Sequence, residues 1–368
     1  MRAADTSPCA LSTATLKWLR QRLFPNWWGG GATLALIYLA WKTVPAVIEW
    51  AFFRAVWAPQ NGSLCRDGAH GACWALIADQ YRFLLFGTFP LEEHWRPAAV
   101  IALLIGLYAL SGLRKLPPIR LACLWLTAIL ASGALMRGGI FGMTYVENER
   151  WGGLNLTLLF ATIGIACAFP LSILLALGRR STMSLVRCLA VAYIELIRGV
   201  PLITVLFMAS VVWPIFTPSG TSTDKLLRAQ LAMILFAAAY LAEAVRGGLQ
   251  AIPKQQEEAA QALGLDYWQR TRYVILPQAL RITVPALVNT FIGFFKDTSL
   301  VVIIGLFDFL TTIRVSLADP KWTGFGIEAY LFATLGYFIF CFPMSRYSHR
   351  LERRPGFDQG KTLLQQRS

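Results

Sequence analysis

The sequence predicts an all-α polytopic membrane protein of about eight transmembrane helices, and three observations lead there. The chain of 368 residues is 56% hydrophobic. It is only 15% charged, against about 25% in soluble domains. Its apolar residues gather in runs of the roughly 20 residues that a bilayer core requires. The formal charge of +14, from 34 basic and 20 acidic residues, is dispersed between these runs rather than collected in one patch. That pattern reads as topology signal and contact with anionic membrane lipid, not as a nucleic-acid surface.

Met1 to Asn26 is polar, carries Lys17, Arg20 and Arg22, and lacks a compact signal peptide, so the first apolar run is expected to stay as an anchor. That run, Ala32–Phe53, is the least clean, because it holds Lys42, Pro45 and Glu49. A polar loop follows with Cys65 and Cys73; facing an oxidising compartment they can form a disulfide, and two free thiols fit equally well. Further spans are Ala98–Leu113, Leu121–Gly138, Leu154–Leu177, Val200–Phe216, Leu227–Val245, Ile282–Leu306 and Gly324–Pro343. Cys123, Cys167, Cys188 and Cys341 sit in or beside these runs as small apolar residues. With no C-x-x-C pair, and with His70, His94 and His349 scattered, a zinc or haem site has no support.

Lys and Arg in short loops set orientation. With the N-terminus inside, the cytoplasmic side takes Arg114, Lys115, Arg120, Arg179, Arg180, Lys254, Arg270, Arg272, Arg346, Arg350, Arg353 and Arg354 besides the N-terminal three. The other side takes fewer, so both termini are expected inside and the Cys65/Cys73 loop outside. The chain divides into an N-terminal extension, residues 1–150, with three spans and an external loop rich in Trp and Pro. A five-span core follows over residues 151–345, then a cytoplasmic tail over 346–368. An E-x-x-R-G pattern occurs twice, at Glu195–Arg198–Gly199 and Glu243–Arg246–Gly247. On a helix each Glu and Arg lie one turn apart and can pair.

The most informative stretch runs from Arg246 to Arg281. Gln255 to Leu263 is rich in Ala, Gln and Glu and suits a short helix. Gly264 can take the left-handed conformation that ends it. Asp266 is a natural N-cap for a second helix, expected to run until Pro277. Leu263, Leu265, Tyr267 and Trp268 cluster at the turn, and an apolar knob on a basic loop points to docking on another protein. Lys296-Asp297-Thr298-Ser299 lies within an apolar span, where charge is expensive and therefore pairs or lines a polar cavity. A substrate-contact cluster that includes Asn289 and a packing pair of Lys296 with Asp297 both satisfy that rule.

Glu258-Ala259-Ala260, then Gly264, then Val274-x-Leu276-Pro277 resembles the EAA loop of ABC importer permeases. The pattern is E-A-A, three residues, Gly, nine residues, Ile-x-Leu-Pro, and the only departure is Val274. Trp151-Gly152-Gly153, the Leu177–Ser181 turn, Arg198-Gly199-Val200-Pro201, Arg246-Gly247-Gly248 and Lys296–Leu300 resemble the polar amino-acid branch of that family. Cys65, Ala72-Cys73-Trp74, Phe86-Gly87 and Trp95-Arg96 are similar to the M-type membrane subunit of general L-amino-acid importers.

The resemblance implies a bacterial inner-membrane permease that forms the path for L-amino acids. It also implies that Glu258, Ala259, Ala260, Gly264, Leu265, Leu276 and Pro277 couple to ATPase subunits. The implied partners are two ATPases, a second permease subunit and a periplasmic substrate-binding protein; the asymmetric extension favours a heterodimer. The chain lacks a G-x-x-x-x-G-K-[ST] loop, so no cofactor is expected on it and ATP is used by the partners. An ion-coupled secondary transporter or channel would need no docking loop. A membrane-embedded enzyme would gather His, Asp, Glu or Cys at ligand spacing, which the sequence does not do.

Overall fold

In a computed structural model, the protein is described over residues 23–24, 26–58, 64–66, 71–113, 116–140, 142–216 and 224–352. Lys17, Arg20, Arg22, His70, Arg114, Lys115, Arg353, Arg354 and the tail beyond residue 352 lie outside the described residues. Among the described residues the structure is helical, with isolated bridges but no strand. Among the described residues seven helices are long and apolar enough to cross a membrane, and a bent pair makes an eighth span if counted as one.

The chain forms two compact units, Met1–Asp79 and Gln80–Ser368. In the first, helix α1 (Trp27–Ile48) passes through Pro45 into a π-turn, Glu49–Phe53. Its side chains are almost wholly exposed, with Trp27 at 95% and Trp41 at 81%. Beyond it, Cys65 and Cys73 are joined by a disulfide. Ala72 N–H donates to the Trp50 carbonyl (2.8 Å), Trp74 Nε1 donates to the Ala51 carbonyl (2.7 Å), and Trp57 stacks on Trp74.

The second unit begins within α2 (Ala75–Phe86) and continues with α3 (Trp95–Leu113) and α4 (Pro118–Arg137). Helix α5 (Gly153–Arg179) follows, then α6 (Ser184–Gly199). A 102° bend leads to α7 (Leu202–Phe207), a π-turn at Met208–Val212 and α8 (Trp213–Phe216). Then come α9 (Lys225–Ala251), α10 (Lys254–Ala262), α11 (Tyr267–Arg270), α12 (Leu276–Asp297), α13 (Phe309–Ser316) and α14 (Gly326–Glu352).

Helices α5, α9 and α12 form the centre, with α14 against α12 and the α3/α4 pair against α5. In lipid, close approach through small residues replaces the hydrophobic drive as the source of packing. Accordingly α9 buries Ala229, Ala232, Ala237, Ala238, Ala239 and Ala242. At Gly248 a Cβ would come within 2.5 Å of the Ala279 carbonyl oxygen of α12, which is backbone and cannot turn away. Gly248→Val is therefore expected to force α9 and α12 apart and lower the melting temperature in detergent; Gly247→Ala, where a Cβ meets nothing within 4 Å, should not.

The glycines of Trp151-Gly152-Gly153 serve the opening of α5. Gly152 lies against Gly87, so that a Cβ there would meet the Gly87 Cα at 2.9 Å. Gly153, at φ +65°, donates its N–H to the Phe307 carbonyl at 2.8 Å. Asp308, fully buried, caps α13 through Leu310 N–H (3.0 Å) and Thr311 N–H (3.1 Å) and accepts from Tyr337 at 3.4 Å. Burial pushes its carboxyl above the usual carboxylate range, opposed by these hydrogen bonds.

Three expectations need correction. Val200–Phe216 is half of a bent element, and the preceding amphipathic α6 supplies the rest. The second helix of the polar loop does not end at Pro277: a π-turn at Thr271–Ile275 carries it into α12, where Pro277 occupies the first turn and needs no N–H partner. The last span likewise runs through Pro343 to Glu352.

Candidate functional site

The polar loop is a helix, a tight turn and a capped second helix. Helix α10 closes at Gly264, φ +75°. The Leu265 N–H reaches the Ala260 carbonyl (3.2 Å) and the Gly264 N–H reaches the Gln261 carbonyl (2.9 Å), the paired bonds of a Schellman stop. Asp266 then opens α11 with a reciprocal capping box: Gln269 N–H donates to Asp266 Oδ1 (2.7 Å), and Asp266 N–H donates to Gln269 Oε1 (3.1 Å).

This geometry divides the loop into two faces. Ala260 and Ile275 are buried, while Leu265 and Leu276 are half-buried. Glu258, Ala259, Gly264 and Pro277 are exposed, together with Leu263 at 80%, Tyr267 and Trp268 at 68%. An acid, a small residue and three large apolar or aromatic groups thus share the free surface beside a glycine around which there is open space. Such a surface can seat against a protein partner.

Glu195, Arg198, Glu243 and Arg246 come together, and the two E-x-x-R-G copies differ. In the second, Arg246 pairs with Glu243 on its own helix (2.8 Å). In the first the expected local pair gives way to contacts between helices. Arg198 reaches Glu243 on α9 (3.4 Å), and Glu195 takes Arg179 from the end of α5 (2.8 Å). Arg179 also reaches Glu243 at 3.0 Å. Three arginines therefore surround two carboxylates where α5, α6 and α9 meet. The sequence pattern did not single out Arg179, although its place as the last residue of a long helix was visible.

The Lys296–Ser299 cluster is less tightly organised. Helix α12 ends at Asp297 and a 3-10 segment, Thr298–Ile304, continues it. Thr298 is buried and donates to the Phe295 carbonyl at 2.8 Å. Lys296 and Asn289 are exposed, whereas Asp297 and Ser299 are half-buried. No ion pair within 4 Å joins Lys296 to Asp297 among the described residues. Helix α7 packs against the 3-10 segment.

Sequence reasoning named Arg96 only within the Trp95-Arg96 resemblance and gave it no structural role. It is fully buried and donates to the carbonyls of Leu135 (2.7 Å), Thr144 (3.0 Å) and Met136 (3.5 Å), with Glu93 at 3.4 Å. The only signal was a lone arginine at the mouth of an apolar run.

A bundle of membrane-length helices with a structured, exposed polar loop between two of its central spans defines a polytopic helical membrane protein. The chain belongs to the family of binding-protein-dependent transport system inner membrane components, whose signature spans residues 168–356. It is 48% identical, over 95% of both chains, to the inner membrane amino-acid ABC transporter permease protein YhdY of Escherichia coli K12. It is 37% identical to the glutamate/glutamine/aspartate/asparagine transport system permease protein BztC of Rhodobacter capsulatus, over 92% of this chain and 93% of that one. The glutamate/aspartate import permease protein GltK of Escherichia coli O6:H1 is 34% identical over 207 residues, 55% of this chain and 91% of its own. The resemblance to importer permeases is thus borne out, and with it the all-helical membrane fold.

Proposed function

We propose that the protein is the transmembrane permease subunit of an ATP-binding cassette importer and forms the route by which L-amino acids cross the inner membrane. The observation that carries this is near end-to-end similarity to a protein named as an amino-acid permease. The exposed face of α10 and α11 supports a docking role: Glu258, Ala259, Leu263, Gly264 and Trp268 meet the ATPase subunit, while Leu265, Leu276 and Ala260 hold the loop in shape. The chain binds no nucleotide of its own. Its further partners are a second permease subunit, related but different, and a substrate-binding protein outside.

Arginine and lysine asymmetry supports both termini inside, the α10–α11 loop inside and the Cys65–Cys73 loop outside. Residues 151–345 act as the permease core. The family signature, which begins at residue 168, supports reading residues 1–150 as an added extension. Lys296, Asp297, Thr298, Ser299 and Asn289 are assigned to the substrate route. The test is purification from detergent of wild type and Glu258→Lys. An ATPase subunit accompanying wild type alone supports the importer and places its docking site. No ATPase with either form favours ion-coupled transport.

A further inference from the structure

We propose that Arg179 and Arg180 form a two-way joint that carries movement of the ATPase-docking helix into the membrane core. The inference rests on α10 being that docking helix. Consecutive residues on a helix point about 100° apart, so two neighbouring arginines can serve different partners. Here they do. Arg180 donates to the Leu249 carbonyl near the end of α9 (3.2 Å) and faces Glu257 of α10 (3.9 Å). Arg179 turns the other way, to Glu195 of α6 (2.8 Å) and Glu243 of α9 (3.0 Å).

The chain of contacts extends on both sides. Glu257 also faces Arg270 of α11 at 3.8 Å, so one carboxylate ties both halves of the docking loop to Arg180. It lies on the inner side of α10, next to exposed Glu258 on the docking side. At the other end, α6 bends by 102° into α7, which packs on the 3-10 segment that holds Thr298 and Ser299. A basic residue at a helix C-terminus is ordinarily explained by the helix dipole. That account does not require each arginine to find a carboxylate on a different helix. The Arg180–Glu257 pair is long and partly exposed, and such pairs add little to stability. Its position is what matters, because it is the polar link from α10 to α5. Arg180 and Glu257 are positioning residues and touch no substrate.

The test uses the assembled transporter, with ATPase subunits and binding protein, in proteoliposomes. Arg180→Gln keeps a donor for the Leu249 carbonyl but removes the charge. Glu257→Gln removes its partner. Each is expected to retain the ATPase subunits and lose uptake by roughly threefold to fivefold, as much as a partly exposed pair can carry. The double variant should fall no further than Glu257→Gln alone, because that single already removes the Arg180 pair together with the Arg270 contact, and Arg180→Lys should restore most uptake. Unchanged uptake in the singles overturns the joint. So does a double variant with multiplied losses, which means independent roles, or loss of the ATPase subunits from the singles, which makes the pair part of the docking surface. Wild type that fails to hold an ATPase subunit strikes down the importer reading itself.

Discussion

Replacing Arg96 with alanine is expected to destabilise the subunit by roughly 1–3 kcal/mol for each buried carbonyl it leaves unpaired. The guanidinium is 0% exposed and serves carbonyls 39 to 48 residues away, two of them, Leu135 and Met136, near the C-terminal end of α4. Those carbonyls have no helical N–H to accept from, so they lose their donor when Arg96 is gone. Glu93 loses its buried partner as well. Arg96→Met refills the volume and leaves the carbonyls unpaired, so it should recover little. Arg54→Ala is the control: its bridge to Glu49 is 63% and 59% exposed, and its loss should cost no more than about 1 kcal/mol. Thermal unfolding in detergent reads all three. A melting point for Arg96→Ala within a degree of wild type would mean that the cluster contributes no net stability.

Arg96 also marks the limit of what could be read from residues in order. The long apolar runs were legible because lipid demands length and hydrophobicity, and seven of them emerge as span-forming helices. The polar loop was legible because its breaks are local: Gly264 supplies the positive φ, and Asp266 the cap. Helix α6 was not. Glu195, Arg198 and Arg187 lower its hydropathy, and its apolar face, with Leu185, Leu189 and Leu196 exposed, shows itself only once the helix is formed. Pro277 and Pro343 misled because a proline need not end a helix: Pro277 stands in the first turn of α12, where no N–H partner is required, and a proline inside a span is tolerated where neighbouring groups satisfy the freed carbonyl. Arg179 and Arg96 act between helices, so their partners are fixed by packing that no local pattern encodes.

The remaining large effect concerns α10 and α11, where two substitutions should abolish uptake by different physical routes. Gly264→Pro forces φ from +75° to about −65° and deletes the N–H that bonds the Gln261 carbonyl, so the Schellman stop cannot form and α11 is redirected. Glu258→Lys leaves the backbone alone. Glu258 is exposed and unpaired among the described residues, so reversing its charge should change the stability of the subunit by no more than about 0.5 kcal/mol. If Glu258 is central to the docking face, the change should cost about 2 kcal/mol or more of ATPase binding, enough to empty the complex at working concentrations. Both variants are expected to insert, Glu258→Lys with the melting temperature of wild type and Gly264→Pro with a lowered one, to lose the ATPase subunit on purification, and to take up substrate at background rate. Gln255→Lys, exposed one turn earlier, should retain both. Normal uptake by Glu258→Lys and Gly264→Pro together would sink the coupling role of this loop, because no membrane-side contact explains how both could be tolerated.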